Sequence, residues 1–159
     1  MDVISFMFGF RGRISRGKYW IAVAVYAVAV IAFALIAIDA LRTLDKDSAF
    51  DFLGGGLALW VSGLSLTIVV LWSGFATGIK RLHDRDKSGW WILLFWLAPM
   101  LLIAAERIVI HGLRGVVLWI ISAALTVWAI IELGCLRGTP GPNAYGPDPL
   151  QGDGSPLNA

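Results

Sequence analysis

Three short stretches of this sequence hold the residues that could do chemistry. His83-Asp84 sets an imidazole beside a carboxylate, the pairing in which the acid orients a general base or a metal-ligating ring. Arg11, Arg13 and Arg16, with Arg81 and Arg85, supply guanidinium groups, which grip phosphate or carboxylate through two parallel hydrogen bonds. Asn143 to Pro149 reads as a rigid turn set. Pro142, Pro147 and Pro149 fix backbone φ, Gly146 permits a positive φ, and Asn143 can bond its own backbone. The densest charge lies in the run from Lys80 to Lys87, which leads through Ser88-Gly89 into Trp90-Trp91 and then Ile92-Leu93-Leu94-Phe95. Charge followed at once by paired indoles and an apolar run is the pattern of a loop re-entering a bilayer, because indole rings favour the headgroup level.

Acid–base chemistry is weakly supported. The other histidine, His111, falls across the membrane in the topology derived below, and no Cys-His or repeated Asp/Glu set completes a metal shell. Neighbouring residues on a helix point in different directions, and nothing in the spacing of Ser15 or Ser88 recruits them. The sequence therefore assigns no catalytic residue, metal ligand or cofactor. Cys135 is a single cysteine, which excludes an intrachain disulfide, and it reads as an inert, partly buried thiol.

The elements that must carry these groups belong in a membrane. Hydrophobic residues make up 58% of the chain and charged ones 15%, against roughly 45–50% and 25% for ordinary globular chains. Mean hydropathy is +0.76. The formal charge of +2 is too small to imply nucleic-acid binding. The pattern predicts an all-α bundle of four transmembrane helices at about 20–40, 55–79, 90–105 and 116–136 in one domain, residues 1–150, with a disordered tail at 151–159. Trp20 to Ile38 carries no charge and exceeds the core of a signal peptide, so it reads as a retained span. Ser15 is its expected N-cap, and Met1 to Phe10 is expected to lie on the membrane surface. Gly54-Gly55-Gly56 predicts a flexible start to the second span, Pro99 a kink or end in the third, and Glu106 to Gly115 an interfacial connection. Gly74-x-x-x-Gly78 lets helix backbones approach closely, either within the bundle or at a homodimer seam. Glu132, near the end of the fourth span, is expected to form a salt bridge to Lys80, Arg81 or Arg137.

Nine of the 13 basic residues fall before the first span, between the second and third, or after the fourth. The positive-inside rule then puts both termini and the central loop in the cytoplasm. All three chemistry-bearing stretches share that side and can converge into one polar cap.

The residues Phe10-x-Gly12-Arg13-Ile14-Ser15-Arg16 leading to Tyr19-Trp20, then Lys80-Arg81-Leu82-His83-Asp84 with Ser88-Gly89-Trp90-Trp91, then Pro140-Gly141-x-Asn143 with Gly146-Pro147-Asp148-Pro149, resemble a known pattern. In that order they are similar to the small bacterial inner-membrane proteins grouped as domain of unknown function 805. The likeness runs over roughly residues 10 to 149. Two departures stand out: Lys18 where the family often has an acid, and Asn143-Ala144-Tyr145-Gly146 where it more often has Asn-Arg-Phe-Gly. The resemblance implies a bacterial cytoplasmic-membrane location and about four spans, and it supplies no reaction.

The function expected from these residues is non-enzymatic: a basic cytoplasmic cap that contacts anionic lipid or a partner protein. Its candidate residues are Arg13, Arg16, Arg81, His83, Asp84, Arg85, Asn143 and Asp148. Set against this is a purely structural cap, in which the arginines pair with Asp84, Asp86 and Asp148 and the 143–149 turn latches onto the central loop. The alternatives are a small-solute or ion permeation protein, with Gly74 and Gly78 as its oligomer seam, and then a membrane enzyme centred on His83-Asp84.

Overall fold

A computed structural model describes the backbone of residues 2–43, 49–109 and 113–151 and the side chains of 2–43, 53–105 and 115–151. The described residues are helical, with no strand beyond an isolated bridge between Asn143 and Gly146. A short α1 (Val3–Phe8) precedes α2 (Arg16–Thr43), α3 (Ala49–Asp84), α4 (Trp91–Val109) and α5 (Leu113–Ile130), and α5 runs on into a π-helical turn, Ile131–Cys135.

Three of these helices are long and apolar enough to cross a membrane: α2, α3 and α5 with its π turn. Helix α4 carries a shorter apolar stretch, Trp91–Ala105. The outward faces carry Trp60, Leu64, Ile31 and Leu35, all more than half exposed. In water such a surface would aggregate; against lipid tails it is the expected one.

Helices α2 and α3 form one antiparallel hairpin and α4 and α5 another. The hairpins meet where α3 crosses α4 and where the π turn packs on α2 and α3. The apolar core sits in that region, with Leu82, Ile92, Phe95, Ala129 and Leu133 enclosed by Tyr19, Phe75, Ile79 and Trp96. Glycines set the spacing. A Cβ on Gly74 would stand 2.8 Å from the Trp96 ring and one on Gly78 2.7 Å from Ile92 Cδ1, so both glycines face α4 within the same chain.

Several local expectations are corrected. Helix α3 runs unbroken through Gly54-Gly55-Gly56 rather than starting flexibly there, because a backbone in lipid must bond within its own helix whatever its side chains. Of the kink or end expected at Pro99, the end is overturned, since helix α4 continues to Val109; the Pro99 carbonyl accepts a 3.3 Å hydrogen bond from Ser122 Oγ. Helices fill most of 106–115, leaving 110–112 outside the described residues, where His111 falls. The first loop's 44–48 and the tail's 152–159 also lie outside them. Ser15 Oγ does accept the Lys18 N–H, at a long 3.5 Å. Helix α1 is docked against α3. Cys135 is exposed rather than partly buried.

Candidate functional site

A helix leaves its last four carbonyls without intrahelical partners, and its C-terminus carries a negative partial charge. Three C-termini gather at one end of this molecule, those of α1, α3 and the π turn. The basic residues singled out in the sequence are the groups that meet them.

The π turn shows this most fully. Its wide winding is closed by Leu136 N–H donating to the Ile131 carbonyl at 3.0 Å, and the carbonyls that follow turn toward α2 and α3. Arg81 Nε donates to Leu133 O at 2.8 Å and its Nη2 to Leu136 O. Trp20 Nε1 donates to Gly134 O at 3.0 Å, Arg16 reaches Cys135 O at 3.4 Å, and Arg85 donates to Arg137 O at 2.9 Å. At α1, the Lys80 ammonium donates to the carbonyls of Ser5 (2.8 Å) and Phe6, while Ser73 donates to Met7 O at 2.7 Å. Helix α3 closes on itself: Asp86 adopts φ 56°, and Lys87 N–H donates back to Leu82 O.

Asp84 is the centre of the cap. Its carboxylate accepts from Arg13 Nε at 3.1 Å through one oxygen and pairs with Arg81 through the other. Its backbone carbonyl accepts Thr139 N–H at 2.8 Å and Thr139 Oγ1 at 3.2 Å. The remaining Arg13 nitrogens donate to the carbonyls of Gly141 (2.7 Å), Gly146 (3.2 Å) and Thr139 (2.7 Å). These hydrogen bonds engage four of the five N–H donors of a guanidinium, and Arg13 is only 6% exposed. Gly141 and Gly146 adopt φ of 74° and 137°, the region that favours glycine, and so turn their carbonyls toward Arg13. Gly138 passes so close to Asp84 that an added Cβ would collide with its carboxylate.

The tail turn is fastened beside this knot. Asn143 Nδ2 donates to His83 O at 2.8 Å and to Thr139 Oγ1 at 3.0 Å, and its Oδ1 accepts Tyr145 N–H at 2.9 Å. The Tyr145 ring stacks on His83, centroids 3.9 Å apart and planes within 5°. Asp148 accepts the N–H groups of Leu150 and Gly141. Those bonds, and the charge of Arg13, hold its carboxyl below its ordinary value of 3.8.

Glu132, buried in the π turn, pairs with Arg85 at 2.9 Å and Lys87 at 2.8 Å rather than with Lys80, Arg81 or Arg137. Among the described residues, buried cations (Arg13, Lys80, Arg81) outnumber buried carboxylates (Asp84, Glu132). The helix carbonyls make up the difference.

Of the eight candidate binding residues, Arg13, Arg81, Asp84 and Asn143 have their polar groups engaged inside the chain, as do the carboxylate of Asp148 and Nε and Nη1 of Arg85. Arg16 is exposed with a single long contact. The two members of the His83-Asp84 pair take different partners: Asp84 holds arginines, whereas His83 Nδ1 lies 3.3 Å from Gly12 O. Since a carbonyl only accepts, Nδ1 carries the proton, and Asp84 does not orient the ring. Among the described residues, no group of three or more His, Cys, Asp or Glu could hold a metal.

Arg11 entered the sequence reading as part of the basic cap and Lys80 and Arg137 as possible partners of Glu132, whereas Tyr145 and Lys18 were given no site role. Arg11, Lys18 and Arg137 are all exposed at this end of the chain's fold. A groove of about 680 Å3 opens beside the cap between α3 and α4.

The chain matches the family model described as "Protein of unknown function (DUF805)" over residues 7–147. It is 33% identical over 150 residues to the inner membrane protein YhaH of Escherichia coli (strain K12), which covers 94% of this chain and 93% of that protein. Identity is 31% over 152 residues to the uncharacterized protein YiiR of the same strain, covering 93% and 90%. It is 28% over 152 residues to the inner membrane protein YhaI, covering 96% and 95%. No solved structure matches.

Proposed function

This chain belongs to the DUF805 family and is a multi-pass protein of the bacterial inner membrane, and we propose that it is a non-enzymatic lipid-contacting scaffold. In this reading it spans the membrane four times, with α4 as the third and shortest span, and both termini and the polar cap face the cytoplasm. The cap has two layers. Arg13, Arg81, Asp84 and Asn143 form an inner knot that holds α3, the π turn and the 138–149 segment together. Arg11, Arg16, Lys18 and Arg137 form an outer rim that meets anionic headgroups.

The observation that carries this reading is the division of labour among the basic residues. Buried cations are taken up by carboxylates and helix carbonyls, while Arg11, Arg16, Lys18 and Arg137 at the capped end are exposed. A juxtamembrane cation near an anionic leaflet contributes about 1 kcal/mol of attraction. Four such groups on one side favour that leaflet strongly.

Native mass spectra of the protein released from anionic nanodiscs test the rim. The variant Arg11→Gln/Arg16→Gln/Lys18→Gln/Arg137→Gln should fold and lose most of its retained anionic lipid. Unchanged retention would sink the rim. The orientation has its own reporter, since Cys135 is the chain's single cysteine and is exposed. A membrane-impermeant maleimide should label it only after spheroplasts are opened.

A further inference from the structure

The groove beside the cap has a shape and a polarity gradient that the rim does not use. Along α3 its lining residues are Trp72, Phe75 and Ile79, with His83 at the mouth. Their spacing keeps them on one helical face, and residues 72 to 83 cover about 16 Å at 1.5 Å per residue. That is roughly half of a ~30 Å hydrocarbon core, the depth of one leaflet. Ile92 and Leu93 of α4 form the other wall, and Phe10, which packs edge-on against Trp72 at 5.3 Å, closes the side toward α1.

The mouth is polar. His83, Ser88 and Tyr145 line it, and Trp90, 78% exposed, stands there at the level that indoles favour. Because His83 Nδ1 donates toward Gly12 O, its Nε2 offers a lone pair. That nitrogen lies on the side of Gly89, another lining residue, whose Cβ would stand 3.5 Å from it. Exposed Arg11 adjoins the lining residue Phe10 in sequence, while Lys87, next to Ser88, is held by Glu132.

We infer that this groove seats one acyl chain of an anionic glycerophospholipid from the leaflet on the capped side, with its hydroxyl-bearing headgroup at His83, Ser88 and Tyr145. The length matches one leaflet, the walls are apolar, and the volume lies within the ~300–1,000 Å3 typical of ligand pockets. The Nε2 acceptor selects a headgroup that can donate a hydrogen bond, and the exposed guanidinium of Arg11 favours a phosphate. The inference deepens the lipid-binding reading by naming a chain subsite, and it can stand or fall apart from the rim.

The test uses the full-length protein in nanodiscs containing phosphatidylglycerol with a photoreactive diazirine at the chain terminus. Crosslinks should saturate near one lipid per chain and map to peptides holding Trp72 to Ile79 and Ile92-Leu93. Crosslinks spread evenly over exposed faces such as Ile31 to Leu35 and Trp119-Ile120 would overturn the inference. In native spectra, Leu93→Trp, which fills the groove, should abolish one tightly held lipid that the rim variant keeps. If Leu93→Trp retains that lipid, the groove is not its site. Loss in the groove variant with no change in the rim variant would reject the rim alone. A phosphatidylcholine probe, which lacks a headgroup donor, should be held at least several-fold less well; equal retention would overturn the headgroup assignment.

Discussion

The two ends of the bundle are built on different principles. At the capped end, the backbone and side chains of α3, the π turn and the 138–149 segment are joined by buried ion pairs and capped carbonyls. Toward the other end, Leu57, Trp60 and Leu64 of α3 and Ile31 and Leu35 of α2 face outward. There, contacts such as Phe33 lying against Gly63 hold the first hairpin. Lipid tails are as apolar as leucine, so helix contact in a membrane gains little from the hydrophobic effect. Polar groups have no such neutral alternative, because an unpaired donor, acceptor or charge in an apolar surrounding is costly. Order is therefore strongest where polar groups had to find one another.

The largest expected effect comes from breaking Asp84. Asp84→Ala leaves Arg13 and Arg81 buried without a carboxylate, a loss of about 3–5 kcal/mol by the usual cost of half a buried pair. Thermal aggregation in detergent should show a large drop in Tm. Leu35→Ala, at the exposed far end, should change it by less than about 0.5 kcal/mol. Equal effects at the two sites would erase the contrast between the ends.

Gly138→Ala comes next. Its Cβ would collide with a carboxylate already held by two arginines, costing about 1–3 kcal/mol by overpacking. Gly17→Ala, with nothing within 4 Å of the added Cβ, is the matched control and should be near neutral. A smaller effect is expected from Tyr145→Ala, which removes the stack on His83, worth about 0.5–1.5 kcal/mol. Limited proteolysis after residue 138 should then quicken while Tm moves little.

The smallest is a pH effect at Asp148. Its folded carboxyl titrates below its ordinary 3.8, so its contribution is fully present above that value. It is lost as pH falls through the lower folded value. Proteolysis of the tail turn by an acid-active protease should be constant from pH 7 to 5 and rise only below about pH 3.8. Asp148→Asn should remove that rise.

What could be read from the sequence follows from the same contrast. Apolar run length fixes where helices lie, so the main helices were legible, as was Gly74-x-x-x-Gly78 as a site of close approach. Helix ends were not, because Gly54 to Gly56 and Pro99 are breakers in water but stay helical here. The cap residues were legible as a cluster because charge is scarce in this chain. Their pairing was not: Glu132 lies next to Arg85 and Lys87 only because the π turn swings it there, and winding of that kind has no hydropathy signature. Lys80, expected beside Glu132, instead meets the carbonyls of Ser5 and Phe6, which every sequence has and none displays.

Hydrogen–deuterium exchange of the 136–149 segment in nanodiscs tests the knot most directly. That segment lies outside any helix, yet the N–H groups of Thr139, Gly141, Asn143 and Tyr145 are each bonded within the cap. The account predicts that these amides exchange far more slowly than a free peptide, and that Asp84→Asn releases them together while exchange at the far end of α2 is unchanged. Free-peptide exchange in the parent protein would contradict it.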